Sequence, residues 1–463
     1  MAVEGAAAFL AVAEIVMREA ALFAAVGFLV LGLGDLAVDF LWLGITARRI
    51  FLYGYLPRLY AEGVPAPAQS GPLAVLVPAW DEARVIGPML RHALAMFGSG
   101  DYRIYVGCYP NDPATVAAAA ALGDPRVRVV VGAVPGPTSK ADCLNCLYER
   151  VCADEAAERR RFKAVVLHDA EDVVHSAELK ALETMIERHD LVQLPVLPLL
   201  DAQSRWVGGH YADEFAEAHG KELVVRQALG AALPSAGVGC AIGRDALDRL
   251  ALHQGAPFDA LSLTEDYELG LRLRMMGGRS AFVRLPSGSG RKAVCSRGYF
   301  PASLRAAVNQ KARWMTGIAL SAWDRLGWSG GFAERWMRLR DRQSLLAALI
   351  LFAGYLAFAL WLLLVGADMI GAHSLAPIPP FLSLLLKINL ALLLWRLLMR
   401  FGFVARAYGW REGLRSVPRV VVSNVVAMLA AWQALLRYRA LRRSGRAEWR
   451  KTSHVFPREL PAE

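Results

Sequence analysis

The stretch RFKAVVLHDAEDVVH, residues 161–175, runs from apolar residues directly into three carboxylates within four positions. A short apolar run of this kind is typical of a buried strand. The carboxylates of Asp169, Glu171 and Asp172 repel one another, so they persist at low cost only where water or a cation satisfies them. Asp169 and Glu171 can offer oxygens to one hard cation, Mg²⁺ or Mn²⁺. The stretch therefore predicts a buried strand that ends at an acidic, cation-binding edge.

Three more apolar runs precede this strand, and helix-like stretches separate the first, second and fourth runs. The runs occupy 72–78, 102–108, 126–132 and 163–169, and the helix-like stretches occupy 83–96, 114–122 and 140–159. This alternation predicts a parallel, doubly wound α/β sheet with both faces covered. Ligands of such sheets bind beyond the carboxyl ends of the strands. Asp81 and Glu82 follow the first run, Asp112 the second and Asp169 the fourth, which predicts a nucleotide-sized crevice there.

The composition indicates a membrane protein of several units. The chain has 463 residues, too many for one ordinary core, and 55% of them are hydrophobic. The net charge is +10, and residues 437–451 hold seven Lys or Arg against one Glu. Such a stretch beside apolar segments is typical of a cytoplasmic membrane edge that attracts anionic lipid. Since no basic-aromatic domain motif accompanies it, no nucleic-acid partner is expected.

Three apolar segments are long enough to cross a membrane, at 21–45, 344–366 and 381–397. Arginines follow the first and third segments, whereas the loop between the second and third contains no Lys or Arg. The positive-inside rule therefore places the central domain in the cytoplasm of a multi-pass inner-membrane protein. A fourth segment, 419–436, is shorter and contains Asn424 and Gln433. We expect it to form an interfacial or re-entrant helix that keeps the C-terminus in the cytoplasm.

These patterns divide the chain into five parts. They are a membrane anchor (1–60), an α/β domain (61–300), interfacial helices (301–343), a C-terminal membrane region (344–440) and a basic cytoplasmic tail (441–463). Asp35 and Asp39 lie one helical turn apart in the first span, and Lys387 lies midway along the third. Intramembrane charges are costly, so we expect the two carboxylates to face Lys387, unless Asp39 only reaches the inner edge of the membrane.

Two further motifs follow the acidic turn. SLTEDYELGLRLRMMGG, residues 262–278, places Glu265 and Asp266 at the start of an amphipathic helix, where acids commonly cap a helix or face its dipole. NQKARWMTGIALSAW, residues 309–323, places Gln310, Arg313 and Trp314 on an amphipathic helix that is typical of a membrane surface. Each motif alone has an ordinary structural explanation, but together with the acidic turn they form an ordered set.

That ordered set of DAE (169–171), TED (264–266) and QKARW (310–314) resembles the processive family 2 glycosyltransferases, which have a GT-A fold. TSKADCLN, residues 138–145, resembles the lysine-containing segment near the diphosphate. The first span, HDAEDVVH, QKARWMTGIAL and the closing KTSHVFP look like the phage-adsorption protein B type of inner-membrane glycosyltransferase, over nearly all of 20–457. Glu171 stands where the family has an aspartate. The chain stops at 463, whereas longer members continue into a cyclic-di-GMP-binding domain, so direct binding of that dinucleotide is not expected.

The resemblance implies a GT-A domain inserted between transmembrane and interfacial helices. It implies metal-dependent transfer of an N-acetylhexosamine from a UDP-sugar to a growing polysaccharide for export, with inversion at the anomeric carbon. The implied partners are membrane lipid and an outer-membrane protein. The implied donor-binding residues are Asp81, Glu82, Asp112, Lys140, Asp169, Gln310 and Arg313. The implied metal ligands for Mg²⁺ or Mn²⁺ are Asp169 and Glu171, and the implied catalytic residues are Asp266 and Glu265. The implied acceptor-binding residues are Trp314, Gly237, Gly239 and Cys240, although GVGCAIG (237–243) also fits a buried Gly-rich strand.

Two other functions stay open on the sequence. The pattern H-D-x-x-D-x-x-H from His168 to His175 also matches a His-Asp metallohydrolase, although that type of site lies on helices. A non-catalytic membrane component of a phage-adsorption or secretion complex would also account for the spans. Dependence on a UDP-sugar distinguishes the three functions, because a hydrolase ignores it and a scaffold does not consume it.

Overall fold

A seven-stranded sheet organises the central domain. The computed structural model describes residues 2–55, 57, 59–288, 292–444 and 454–457. The strands of the sheet are β1 (Leu73–Pro78), β2 (Tyr102–Cys108), β3 (Val127–Val131), β4 (Ala164–Leu167), β5 (Leu191–Gln193), β6 (Cys240–Gly243) and β7 (Ser280–Phe282). Within the described residues their order is β3-β2-β1-β4-β6-β5-β7, and β8 (Pro286–Ser287) pairs with β9 (Lys292–Ala293) in a separate ribbon.

Helices precede, flank and follow this sheet. They are α1 (Ala2–Tyr53), α2 (Ile86–Phe97), α3 (Pro113–Ala120), α4 (Lys140–Glu158), α5 (Glu178–Met185), α6 (Val207–Glu217), α7 (Leu223–Ala228), α8 (Arg244–Gln254), α9 (Glu265–Met275), α10 (Leu304–Met315), α11 (Ala322–Leu326), α12 (Phe332–Arg342), α13 (Ser344–Met369), α14 (Pro380–Tyr408) and α15 (Trp410–Ser444). Short 3₁₀ turns lie at Ala61–Gly63 and Ile186–Arg188, and π-helical turns lie at Ala218–Glu222 and Thr316–Ser321.

The four strands predicted from the apolar runs form one parallel half of the sheet. β1 pairs in parallel with β2 and with β4, so that Leu73 lies opposite Tyr102 on one side and Ala164 on the other. β3 extends this row beyond β2. β6, however, is antiparallel to both of its neighbours, β4 and β5. The sheet is therefore mixed, and the expectation of a wholly parallel sheet is wrong at this side.

Helices cover both faces of the sheet, as the alternation of elements predicted. Val75 and Val77 of β1 face one hydrophobic core, whereas Ala74 and Leu76 face the other. This is the two-residue period of a strand that is buried on both sides. α2, α3 and α5 cover the first core, and α4, α8 and α9 cover the second. The carboxyl ends of β1, β2 and β4 therefore open at one shared edge.

Among the described residues, four helices are long and apolar enough to cross a membrane, namely α1, α13, α14 and α15. α1 is continuous over 52 residues, which corresponds to about 78 Å at 1.5 Å per residue. The predicted span 21–45 is thus one part of a longer helix. The segment 419–436 also belongs to one continuous helix, α15, which contains Pro418. The interfacial or re-entrant placement of this segment and the five domain boundaries stay predictions.

The expected pairing of Asp35 and Asp39 with Lys387 is wrong. Asp35 contacts Arg340 of α12 at 2.9 Å and also contacts Arg396. Asp39 accepts from the Nζ of Lys221 at 2.6 Å and from the indole of Trp395 at 2.8 Å, whereas Lys387 is exposed on α14. The physical reason is the register of α1 against α14: Leu385 packs with Ala25 and Asn389 donates to the carbonyl of Ala25, so Lys387 is level with Ala25 and not with the two acids. The two acids lie beyond that contact, level with the central domain.

Candidate active site

A buried histidine holds the turn that follows β4. His168 donates from Nδ1 to Asp172 at 2.8 Å and from Nε2 to Glu178 at 2.7 Å. Burial opposes the charge, but the two carboxylates raise the pKa of His168 to about 10, so the ring is a cation at neutral pH. Asp172 also accepts from the backbone N–H of Asp169 at 3.1 Å. These bonds fix the turn that carries Asp169 and Glu171.

The same bonds remove the basis for a metallohydrolase. Both ring nitrogens of His168 donate to carboxylates, so neither has a lone pair for a metal. His175 is buried, and its Nδ1 accepts from the backbone N–H of Ala177 at 3.0 Å. The H-D-x-x-D-x-x-H pattern is therefore explained by the folding of the turn.

Lys140 joins the acidic turn to the start of α9. Ser139 caps α4 in a capping box with Asp142, which fixes the position of Lys140 in the first turn of the helix. The Nζ of Lys140 lies 2.5 Å from Asp169 Oδ1 and 4.0 Å from Glu265 Oε1. Burial opposes its charge, but the surrounding carboxylates raise the pKa of Lys140. A buried ammonium group thus lies between the two predicted acidic motifs.

Asp266 lies at the start of α9 against a glycine in a left-handed conformation. Its Oδ1 accepts from the backbone N–H of Tyr267 at 2.8 Å. A Cβ at Gly237, where φ is +75°, would lie 2.7 Å from Asp266 Oδ2. Burial raises the pKa of Asp266, against the opposing charges of Lys140 and Arg313. Burial, together with the charge of Asp266, also raises the pKa of Glu265 to about 7.

α10 brings the QKARW motif to the same edge of the sheet. Burial acts to raise the pKa of Asp169, Glu265 and Asp266, and the charge of Arg313 opposes it at each of them, so Arg313 belongs to the same group of charges. Among the described residues, no hydrogen-bond partner reaches the buried Oε1 of Gln310. Trp314 is half-buried, and it packs in an aromatic cluster of Tyr211, Phe215 and Phe300.

Asp112 connects the carboxyl ends of β1 and β2. One oxygen caps α3 by accepting from Thr115 N–H at 3.3 Å, and the other accepts from Asp81 N–H at 2.6 Å. Asp81 is exposed and has a φ of +54°, which is uncommon for a residue with a side chain. Glu82 is buried, and its N–H donates to Thr115 Oγ1 at 2.9 Å. Asp112 therefore holds the backbone at Asp81.

The predicted acceptor segment lies between Asp266 and the second hydrophobic core. Gly239 has a φ of +57°, and a Cβ there would lie 3.0 Å from the Cβ of Ser296. Cys240 starts β6 and points into the second core, where burial raises the pKa of its thiol to about 12. The segment is thus also a buried strand, which was the alternative interpretation of its sequence. Among its glycines, Gly237 is the one that lies against Asp266.

His454 is a site residue that sequence analysis did not single out. Its Nδ1 lies 2.7 Å from Glu82 Oε1, and its Nε2 lies 3.2 Å from Glu171 Oε1. Burial raises the pKa of Glu171 to about 8, against the opposing charge of His454. The available signal was the closing KTSHVFP, but no local pattern in it indicates which side chains the histidine meets.

A divalent metal fits the side chains at this edge. Glu82, Glu171 and His454 offer ligand atoms that all lie within 4.8 Å of one another. Carboxylate oxygen and imidazole nitrogen are both ligands of divalent metals. Asp169, the other predicted ligand, is engaged by Lys140 through Oδ1. The donor set is therefore suited to a cation, with Glu171 common to the predicted and the observed groups.

A half-buried carboxylate, that of Asp266, beside an acidic turn that is paired with a lysine, at the open edge of a mixed α/β sheet, is the arrangement of a GT-A glycosyltransferase. Such enzymes use a nucleotide-sugar donor.

The chain belongs to glycosyltransferase family 2. The model of the "Glycosyltransferase like family 2" matches residues 70–317. The chain is 35% identical, over 465 aligned residues, to bacteriophage adsorption protein B of Escherichia coli K12 and equally to bacteriophage N4 adsorption protein B of Escherichia coli O157:H7. These alignments cover 95% of this chain but 62% of each relative.

A solved structure has the same fold. It is a mannosyltransferase from Pyrobaculum calidifontis in complex with GDP-Man and Mn²⁺, which matches with a TM-score of 0.50 and 16% identity. The match covers 89% of this chain and 99% of the mannosyltransferase, so the similarity of fold extends beyond the central domain.

Proposed function

We propose that the protein transfers a sugar, an N-acetylhexosamine, from a UDP-sugar to a growing polysaccharide, with inversion at the anomeric carbon. The observation that carries this proposal is the position of Asp266. Its half-buried carboxylate lies against Gly237 and close to the charges of Lys140 and Arg313. A base and the cations that neutralise a diphosphate therefore meet at one place.

The leaving diphosphate is stabilised by positive charge from the chain and from a divalent metal. Lys140 and Arg313 supply the protein's part, since both face the carboxylates of the site. Asp169 and Glu171 are the proposed metal ligands. A cation bound there supplies Lewis-acid stabilisation of the leaving oxygen. Mg²⁺ and Mn²⁺ both suit carboxylate oxygen, and the mannosyltransferase of similar fold was solved with Mn²⁺.

Asp266 acts as the general base. It removes the proton from the acceptor hydroxyl as that oxygen bonds to the anomeric carbon and the bond to the diphosphate breaks. General-base catalysis of this kind contributes about 10²–10⁴-fold to a rate. With one base and no enzymic nucleophile, the reaction is a single displacement, so the configuration at the anomeric carbon inverts. Glu265, 4.0 Å from the Nζ of Lys140, helps to position that ammonium group.

The remaining predicted residues bind the two substrates. Asp81 is exposed at the end of β1 and is placed by Asp112, so it contacts the uridine. The buried Oε1 of Gln310 has no hydrogen-bond partner among the described residues, and it accepts a hydrogen bond from the bound nucleotide sugar. Trp314 offers a half-buried aromatic face on which a terminal sugar of the acceptor stacks. Gly237 and Gly239 leave room for that sugar above β6.

The enzyme works at the cytoplasmic face of a bacterial inner membrane. The four long apolar helices of the described residues and the basic segment 437–451 support this location. The similarity to phage adsorption proteins supports a product that is passed towards the cell surface, with an outer-membrane protein as export partner. The proposed role is therefore synthesis and export of an exopolysaccharide.

The test is UDP release by the purified full-length protein across a panel of UDP-sugars, with Mg²⁺ or Mn²⁺. Asp266→Asn removes the base, and Asp245→Asn is the matched control because Asp245 is exposed on α8. We expect turnover with one sugar, retained in Asp245→Asn, abolished by EDTA and lowered by about 10²–10⁴-fold in Asp266→Asn. The proposal is wrong if a GDP-sugar is the donor, or if Asp266→Asn turns over like the control.

A further inference from the structure

We propose that Asp341 is a positioning residue for Asp266 and that it acts through Tyr267. This inference rests on the proposed function, since it concerns the residue that holds the proposed base in place. Asp341 belongs to α12, whereas Tyr267 follows Asp266 in the first turn of α9. The two residues are 74 positions apart in sequence, so the fold alone brings them together.

Tyr267 connects Asp266 to α12 through its backbone and its side chain. Its N–H donates to Asp266 Oδ1 at 2.8 Å, and its hydroxyl donates to Asp341 Oδ2 at 2.7 Å. Tyr267 is only 5% exposed. A buried hydroxyl that loses its acceptor stays unsatisfied, which costs free energy. Asp341 therefore fixes the Tyr267 side chain, and with it the peptide that holds the Asp266 carboxylate.

Asp341 is itself held in one orientation. Arg226 donates from its two terminal nitrogens to the two oxygens of Asp341, at 2.8 and 2.9 Å. A bidentate pair of this kind fixes the plane of the carboxylate. Arg226 is buried, and its Nε also donates to the carbonyl of Ala232. The acceptor of the Tyr267 hydroxyl is thus a rigid part of the fold.

The same helix, α12, also holds the chain that leads to Gly237. Glu334 of α12 accepts from the N–H of Ala232 at 2.7 Å. Between Ala232 and Gly237 the backbone lies directly against α9, because a Cβ at Gly270 would overlap the carbonyl oxygen of Leu233. α12 therefore supports both structures that bound the proposed base, namely the first turn of α9 and the segment that ends at Gly237.

The test is steady-state kinetics of Tyr267→Phe in the full-length protein in detergent, with the UDP-sugar that the wild type turns over. The variant keeps the ring and removes the hydroxyl. We expect kcat to fall at least about tenfold with an unchanged KM for the UDP-sugar, because displacement of a base weakens only the transition state. Tyr148→Phe is the matched control, since the Tyr148 hydroxyl also donates to an aspartate, Asp248, at 2.6 Å. That variant should keep the wild-type kcat.

The pH profile distinguishes positioning from a loss of folded protein. Burial raises the pKa of Asp266, and the N–H of Tyr267 opposes this rise. Displacement of that N–H in Tyr267→Phe should therefore move the acid limb of kcat to higher pH. A smaller folded fraction would instead lower the rate equally at every pH. The variant leaves unaltered the charged groups that face Asp266, which are Lys140, Asp169, Glu265 and Arg313.

A second variant tests whether Asp341 acts through Tyr267. Asp341→Asn removes the charge that orders Arg226, so kcat should fall in the wild-type background. In the Tyr267→Phe background it should cause little further loss, since residues that act through one contact are not additive. Tyr267→Phe leaves the pair of Asp341 and Arg226 intact, so the answer does not depend on how well Asp341→Asn folds.

Three results would overturn the inference. Wild-type kcat and pH profile in Tyr267→Phe would reject the positioning role and keep the transferase. Fully additive losses in the double variant would show that Asp341 acts by another route. Absence of UDP-sugar turnover in the wild type would reject the proposed transfer, and with it any role of Asp341 in positioning its base.

Discussion

At the scale of single residues, the position of Asp266 depends on a glycine. Gly237 has a φ of +75°, and the space where its Cβ would be is occupied by the Asp266 carboxylate at 2.7 Å. The other carboxylate oxygen is held by Tyr267 N–H. Asp266, the proposed base, is therefore fixed from two sides, and its proposed reach towards an acceptor hydroxyl depends on backbone conformation.

Gly237→Ala should lower kcat by about 10²-fold, because a displacement of a catalytic group by about 1 Å costs that much. Gly255→Ala is the matched control, since Gly255 also has a positive φ, +88°, but a Cβ there meets nothing within 4 Å. Steady-state kinetics of both variants is the measurement. Equal activity in the two would show that the close contact with Asp266 does not matter.

The pH dependence should report the environment of Asp266. Burial raises the pKa of Asp266 above its ordinary value of 3.8, and the base must be ionised to act. Activity should therefore fall with decreasing pH at a higher pH than an ordinary aspartate would give. Since Lys140 opposes this rise in pKa, Lys140→Gln should move the acid limb of kcat/KM to still higher pH.

Lys180→Gln is the control for this pH profile, because Lys180 is exposed on α5. Its acid limb should coincide with that of the wild type. An acid limb that stays in place in Lys140→Gln would mean that a group remote from Lys140 controls the reaction.

At the scale of elements, the turn after β4 is the best-defined part of the site. His168 links Asp172 of this turn to Glu178, the first residue of α5, and these three side chains are almost fully buried. A buried cation between two buried carboxylates stabilises the fold only while all three charged groups are present. The turn therefore keeps its shape whether or not a metal is bound to Asp169 or Glu171.

His168→Gln should destabilise the protein by about 3–5 kcal/mol, because it leaves two buried carboxylates without their cation. The free energy of unfolding, from denaturant titration of the purified protein, is the measurement. His253→Gln, at an exposed position, should be neutral. A His168→Gln variant of unchanged stability, but with less bound metal, would restore the metallohydrolase interpretation.

The sequence predicted β1 to β4 because each is a run of apolar residues bounded by turns. A strand that is buried on both faces has such a continuous apolar run. The sequence did not predict the antiparallel direction of β6. CAIG is four residues long, ends in Gly243 and is preceded by Gly239, so neither its period nor its length indicates direction. Direction is set by pairing with β4 and β5, which are distant in sequence.

Site residues were predictable where a motif is local, and not where contacts form between distant segments. Lys140, Asp169, Asp266 and Arg313 were identified from their motifs, and the structure brings them together. The hydrogen bonds of Asp112 to the Asp81 backbone and of His454 to Glu82 join separate segments. No periodicity or spacing encodes such contacts, so these roles required the fold.

At the scale of the whole molecule, a buried ion pair joins the long first helix to the central domain. Lys221 Nζ lies 2.6 Å from Asp39 and 2.7 Å from Glu217, and each side chain is less than a tenth exposed. Trp42 of α1 adds a hydrogen bond from its indole to the carbonyl of Gly220, at 3.2 Å. The hydropathy of α1 predicted a membrane span, but only the fold shows that Asp39 and Trp42 of this helix contact the central domain.

Lys221→Met should destabilise the folded protein by about 3 kcal/mol or more, because it leaves Asp39 and Glu217 buried without their cation. The apparent unfolding temperature in detergent is the measurement. Lys387→Leu should cause no loss, since Lys387 is exposed on α14. Loss of stability in Lys387→Leu, with none in Lys221→Met, would contradict this arrangement of charges.

The most direct test of the central claim, a single displacement assisted by Asp266, is the anomeric configuration of the product. The measurement is NMR of the first glycosidic bond formed from an α-linked UDP-sugar. We expect a β-linked product from the wild type and no product above background from Asp266→Asn. An α-linked product would contradict the claim, because a single displacement from the face opposite the leaving diphosphate must invert the anomeric carbon.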